Sequence, residues 1–201
     1  MLSFQKVVCV IVLAVIGMAG LGHSAAVQSR DTEATIIFEP TMYLVYPTDP
    51  KRFDSPTSQL EVQRSGNMSI LENIAIFENI PATAKTCTLG WAQAAIAERT
   101  PFIVDGSGLL GAQQLPRIPE GQINWESIAP IVEEAVAQGD PLLHPDTTSW
   151  PDIKLEEKHI AGPVDCAEAI YLKLQVDYRN GDGFVYLGQD SKNGLTITVQ
   201  G

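Results

Sequence analysis

The chain has 201 residues, with 24 acidic against 13 basic side chains and a formal charge of −11 at neutral pH. So acidic a surface repels phosphate backbones, and no basic stripe offsets the repulsion, so nucleic acid is not expected as a partner. The length suits one domain with a sizeable core and does not demand two.

The chain opens MLSFQKVVCVIVLAVIGMAGLGHSAAVQSR. Lys6 precedes an unbroken apolar run at residues 7–16, and small residues then gather at Gly20, Gly22, Ser24, Ala25 and Ala26. That order of charge, apolar run and small residues is a secretory signal peptide, residues 1–24, with cleavage after Ser24 or Ala26. The apolar stretch at residues 7–22 is shorter than the roughly 20 residues a spanning helix needs, so no membrane association is expected after cleavage. Lys6 and Cys9 leave with the leader, which takes the formal charge from −11 to −12. Cys87 and Cys166 then enter an oxidising pathway, where a disulfide is the default state. Two buried free thiols are the other reading, and a metal-bound pair lacks the close ligand spacing of zinc sites.

Residues 34–38 (ATIIF) and 42–46 (MYLVY) are β-branched and aromatic runs broken by Pro40 and ended by Pro47; both are expected as strands. A polar loop, PTDPKRFDSP, follows. Residues 59–64 (QLEVQR) alternate, placing Leu60 and Val62 on one face, and residues 69–77 (SILENIAIF) read as a second strand, bent or bulged at Glu72-Asn73. Between them, Asn67-Met68-Ser69 beside Gly66 is an N-glycosylation acceptor in a turn-like stretch, so Asn67 is expected to carry a surface glycan. Residues 86–92 place Cys87, Leu89 and Trp91 on one side of a sheet at period two.

The middle is less regular. Residues 102–105 (FIVD) lead into Gly106-Ser107-Gly108-Leu109-Leu110-Gly111, which has the glycine spacing of a dinucleotide loop. Such a loop must open a helix whose N-terminus faces the pyrophosphate. Here Pro116 and Pro119 forbid a long helix, so the stretch reads as a glycine-rich loop and no cofactor is expected. Residues 123–138 carry Trp125, Ile128, Ile131, Val132, Ala135 and Val136 at helical spacing, predicting one short helix with Pro130 near its start. A proline-marked loop, GDPLLHPDTTSWPD, leads to strands at 153–155, 169–176 (AIYLKLQV), 183–187 (GFVYL) and 195–199 (LTITV), with a turn at Asn193-Gly194. The whole predicts an all-β chain: an antiparallel β-sandwich, Greek-key or jelly-roll-like, over residues 35–201, with one short helix in a long mid-chain insertion.

No catalytic set is readable. There is no G-x-S-x-G elbow, and neither His144 nor His159 comes with a recognisable serine partner. Two histidines outside the leader are too few for a zinc or iron ligand set, so no metal is expected. His144-Pro145-Asp146 reads as exposed loop, and Glu156-Glu157-Lys158-His159 as a solvated charge run. Glycosidase chemistry needs only two carboxylates at the right separation, and the sequence singles out no pair. Trp91 reads as core, which leaves Trp125 and Trp150 as the candidate sugar-stacking surface.

Three stretches carry a resemblance: IFENIPATAKTCTLGW (residues 76–91), GPVDCAEAIYLKLQ (162–175) and YLGQDSKNGLTITVQG (186–201). Together they resemble a fungal family, the ubiquitin 3 binding protein C-terminal domain, over residues 35–201. Ala167 departs from the proline usual after the second cysteine, and Gln200-Gly201 stand where many members end on another cysteine. The resemblance implies a filamentous-fungal origin, a β-sandwich and a disulfide joining Cys87 to Cys166. The family's name comes from a member that binds an intracellular activating enzyme for a ubiquitin-like modifier, which the leader here places across a membrane. The expectation is therefore a secreted, non-enzymatic glycoprotein, wall-associated or host-facing, that binds a cell-wall glycan or a host protein. An extracellular carbohydrate-active enzyme using a carboxylate pair is the alternative, and a partner of the modifier-activating enzyme is the third reading.

Overall fold

Strands with one apolar face must bury it against another layer, and here two antiparallel sheets serve each other. The computed structural model describes residues 34–201; the expected leader, its cleavage points and Cys9 lie outside the described residues. The smaller, four-stranded sheet runs in the order β1 (Thr35–Ile37), β12 (Gly194–Gln200), β5 (Thr86–Gln93), β9 (Glu157–Val164). The larger, eight-stranded sheet runs β6 (Phe102–Gly106), β11 (Gly183–Gly188), β3 (Gln59–Ser65), β4 (Met68–Phe77), β10 (Ile170–Val176), β7 (Leu110–Leu115), β8 (Leu142–Leu143). β2 (Thr41–Val45) completes it by pairing with residues 72–76 of β4, beyond the part that β3 occupies.

Leu60, Val62, Leu172, Leu174, Val185 and Leu187 of the large sheet meet Leu89, Trp91, Leu195 and Ile197 of the small one, all buried. β4 is buried on both faces. Ala75 and Phe77 join this core, while Ile74 and Ile76 point the other way, beneath the helix α1 (Trp125–Gln138). Ile128, Ile131 and Ala135 of α1 close that second core, each isoleucine contributing about 2 kcal/mol by burial. The helix starts where Asn124 Oδ1 accepts from the Ser127 N–H at 3.0 Å and Ser127 Oγ accepts from the Asn124 N–H at 3.1 Å, a reciprocal cap.

Several expectations need correction. Pro130 lies in the second turn of α1, where it forfeits one backbone hydrogen bond. The irregularity in β4 falls opposite Gln63 and Arg64, because Glu72 and Asn73 pair regularly with β2 and β10. Residues 153–155 are not a strand; β9 starts at Glu157. The glycine-rich loop is confined to residues 107–109, since Gly106 ends β6, and the residues after it form β7, paired with β10 along its length. β9 packs against β5 only because Gly90 has no side chain: a Cβ there would stand 2.3 Å from the His159 carbonyl oxygen.

Candidate functional site

Helix α1 covers only part of the outer face of the large sheet, and polar and aromatic side chains gather on the uncovered part. Strand alternation decides which residues stand there. Leu60, Val62, Val185 and Leu187 are buried between the sheets, so Glu61 and Gln63 of β3 and Phe184 and Tyr186 of β11 project from the opposite face. Phe184 pairs with Gln63 on one side and Asp105 of β6 on the other; Tyr186 lies between Glu61 and Ile103. Two aromatic residues thus stand about 6.8 Å apart along β11, each with a carboxylate on a neighbouring strand.

A cavity of about 240 Å³ opens beside Phe184, walled by Gln63, Arg64, Asp105 and Asp182. Three connections meet at it: the β3–β4 hairpin, the turn between β6 and β7, and the link from β10 to β11 that carries Asp182. β3 and β4 are joined by Gly66 at φ +59° and Asn67 at φ +66°, a hairpin turn whose positive φ values suit glycine and are tolerated by asparagine. The Asp182 carboxylate accepts from the Gly66 N–H at 2.8 Å and the Asn67 N–H at 3.4 Å. Arg64 Nη2 donates to the Asn67 carbonyl at 2.8 Å. The Ser107 N–H donates to the Asp182 carbonyl at 3.0 Å, which brings the turn at residues 107–109 to the same place.

Several groups here remain unused. Among the described residues, Arg64 Nε is shielded from solvent without a partner, and the side chains of Gln63, Asp105 and Glu61 make no hydrogen bond or ion pair. A cavity that offers donor, acceptor and aromatic ring together suits a ligand that is apolar on its faces and hydroxylated at its edges. Glu61 also borders Tyr46, whose hydroxyl donates to Asp54 Oδ2 at 2.6 Å. Burial, the Asp54 hydrogen bond and the charges of Asp54 and Glu61 push this phenol up to about 12. The Arg52 guanidinium lies 3.7 Å over the Tyr46 ring, so this face of the ring is already covered.

A second set of hollows runs along the rim near the C-terminus of α1. Neighbouring hollows share Gln114, Asp140 and Asp165, then Glu168 and Ala169, then Glu78 and Asn79. Their carboxylates are Glu39, Glu78, Asp140, Asp165 and Glu168, and no lysine, arginine, histidine or tryptophan lines them. Gln114 is spent on the backbone of Asp165, donating to its carbonyl at 3.0 Å and accepting from its N–H at 2.8 Å. This trough can attract cations but lacks the tryptophan floor that would orient a sugar.

Cys87 and Cys166 are bonded, with Cα atoms 5.4 Å apart. Cys166 lies in the connection from β9 to β10, so the bond ties the small sheet to the chain entering the large one. Asn67 is exposed at the tip of the β3–β4 hairpin. Trp125 and Trp150 are not brought together, and the expected stacking surface is not formed. Trp150 is 0% exposed, with its ring 5.1 Å from that of Trp91. Arg99 Nη1 donates to its carbonyl at 2.8 Å, helping to hold the loop that inserts it between the sheets. Trp125 opens α1 and packs on the helix-side core, 5.7 Å from Lys173 Nζ. His144 is not a simple exposed loop residue: Nδ1 lies 2.9 Å from the buried Asp177 Oδ2. His159 stacks on Trp91 at 3.8 Å rather than facing freely into solvent.

Sequence reasoning missed Phe184, Tyr186, Gln63 and Asp105. The alternation of GFVYL was visible, but apolar residues occupy both of its faces, and nothing local says which one the second sheet covers. Among the described residues, no group of three or more His, Cys, Asp or Glu is placed to hold a metal ion. No helix among them is long and apolar enough to cross a membrane. No family model matches the chain, and no curated protein matches it.

Proposed function

We propose that this protein is exported and binds a glycan chain on the uncovered face of its large sheet, without acting on it chemically. The observation that carries the reading is the cavity beside Phe184, where the Gln63 and Asp105 side chains have no partner among the described residues. Sugar rings stack their apolar faces on aromatic side chains and direct hydroxyls at flanking amides and carboxylates. Tyr186, one pleat further along β11, supplies a second ring for the next sugar. The resemblance to the fungal family and the leader support a wall polysaccharide as the ligand and a fungus as the source.

Retention on insoluble chitin, β-glucan and cellulose, followed by titration with soluble oligosaccharides, tests this. Phe184→Ala with Gln63→Ala should weaken binding at least about tenfold, close to 1.4 kcal/mol, with the melting temperature unchanged. Binding should persist in roughly 0.5 M salt, because stacking is not screened. Retention on none of the polysaccharides, or unchanged retention by the double variant, would sink the reading. Binding that vanishes in salt would move the site to the acidic trough. Release of reducing sugar from any of these polysaccharides would instead establish the second reading, the carbohydrate-active enzyme.

A further inference from the structure

The turn that closes one end of the cavity is also the acceptor tripeptide Asn67-Met68-Ser69. Asn67 is exposed, and among the described residues its side-chain amide makes no hydrogen bond; only its backbone is engaged. Ser69 shows the reverse condition. Its hydroxyl is buried without a partner, which is a cost to the folded state. The fold gives that hydroxyl nothing to do, whereas an acceptor tripeptide requires it.

Asn67 is one hydrogen bond from each of two cavity walls: its carbonyl accepts from Arg64 and its N–H donates to Asp182. We propose that an N-linked glycan on Asn67 folds over this cavity, seats its first sugars against Phe184, and thereby controls access of an external glycan. The proposal rests on the glycan-binding reading for its consequence, not for the cover itself. Attachment forms a bond between Asn67 Nδ2 and C1 of a sugar. It breaks the C1–O bond to a lipid-linked diphosphate donor and releases one amide proton. The tethered sugar then meets the Phe184 ring and the Gln63 and Asp105 side chains at an effective concentration that a free oligosaccharide reaches only in excess. The glycosylated form is closed and the unmodified form open.

The test compares protein from a glycosylating host with Ser69→Ala made in the same host. That substitution leaves the turn residues Gly66 and Asn67 in place and removes a hydroxyl that has no partner. Intact mass should show a glycan on the first protein and none on the second. Hydroxyl-radical footprinting should then show Phe184 oxidised at least threefold more slowly in the glycosylated form, with Tyr171 beside α1 unchanged. Retention on the binding polysaccharide should be about tenfold stronger for Ser69→Ala. An unmodified Asn67, or equal oxidation of Phe184 in the two proteins, would overturn the proposal. If Phe184 is protected but neither form binds polysaccharide, the cover stands and the glycan-binding function fails.

Discussion

Lys173 shows what a single position demands once the layers close over it. Its Nζ lies 3.0 Å from Glu72 Oε2 and donates to Gln175 Oε1 at 2.7 Å, on the sheet face next to α1. Only 8% of Lys173 and 2% of Glu72 remain exposed. Taking two charges out of water is costly, and their mutual attraction offsets it only while both are present. Lys173→Met should therefore cost about 3–5 kcal/mol by stranding the Glu72 carboxylate, and adding Glu72→Leu should recover most of the loss. Urea unfolding of both variants decides it: a double variant no more stable than the single one means the two charges are not coupled. The alternation in AIYLKLQV put Lys173 on the face away from the sandwich core, as found. What it did not carry was that this face is covered too, since that depends on a helix more than thirty residues earlier in the chain.

At the scale of elements, legibility followed apolar–polar alternation along the strand. β3, β10 and β12 send alternate residues into the sandwich core and were readable to within a residue or two. β9 was not, because as an edge strand with Gly162 and Pro163 it carries the marks that blunt an edge rather than those that announce a strand. β7 hid behind the glycine-rich stretch that leads into it. The loop from β8 toward β9 read as solvent-exposed, yet it inserts Trp150 and is latched to the end of β10 by His144 and Asp177. Asp177 is fully buried, and Arg179 grips it with Nη2 at 2.7 Å, Nε at 3.1 Å and its backbone N–H at 2.8 Å. The Arg179 side chain holds this carboxyl below the usual range, against burial that would raise it. The folded value thus lies below the unfolded one of about 3.9, so the stabilisation is complete above about pH 4 and is lost as pH falls through the folded value. Asp177→Asn should melt lower at pH 7 and show a shallower fall in Tm below about pH 4. An acid limb parallel to that of the parent protein would show that the latch does not depend on this charge.

For the whole molecule, the question is which compartment this fold is built for. The pairing of Cys87 with Cys166 was readable from the count of cysteines and from the resemblance, whereas the packing of α1 on the large sheet and the part of that sheet it leaves uncovered needed the structure. The two cysteines are 79 residues apart in sequence, and on the chain-entropy argument closing so long a loop stabilises the fold by about 4.5 kcal/mol. Net stability of a domain this size is commonly 5–15 kcal/mol, roughly speaking, so a reducing compartment would remove a large share of it. Cys87→Ser with Cys166→Ser should shift the urea midpoint by the same amount as reduction of the parent protein, because both open the same loop. Unequal shifts would mean that reduction acts elsewhere or that the serines disturb the buried Cys87 site. The same chemistry reports the address. Protein recovered from culture medium or wall should lack its first 24 or 26 residues and resist thiol alkylation until reduced, then take up two labels. Full-length protein with free thiols in the cytosol would mean that the fold stands without its staple, and would return the intracellular modifier-activating enzyme to the front as its partner.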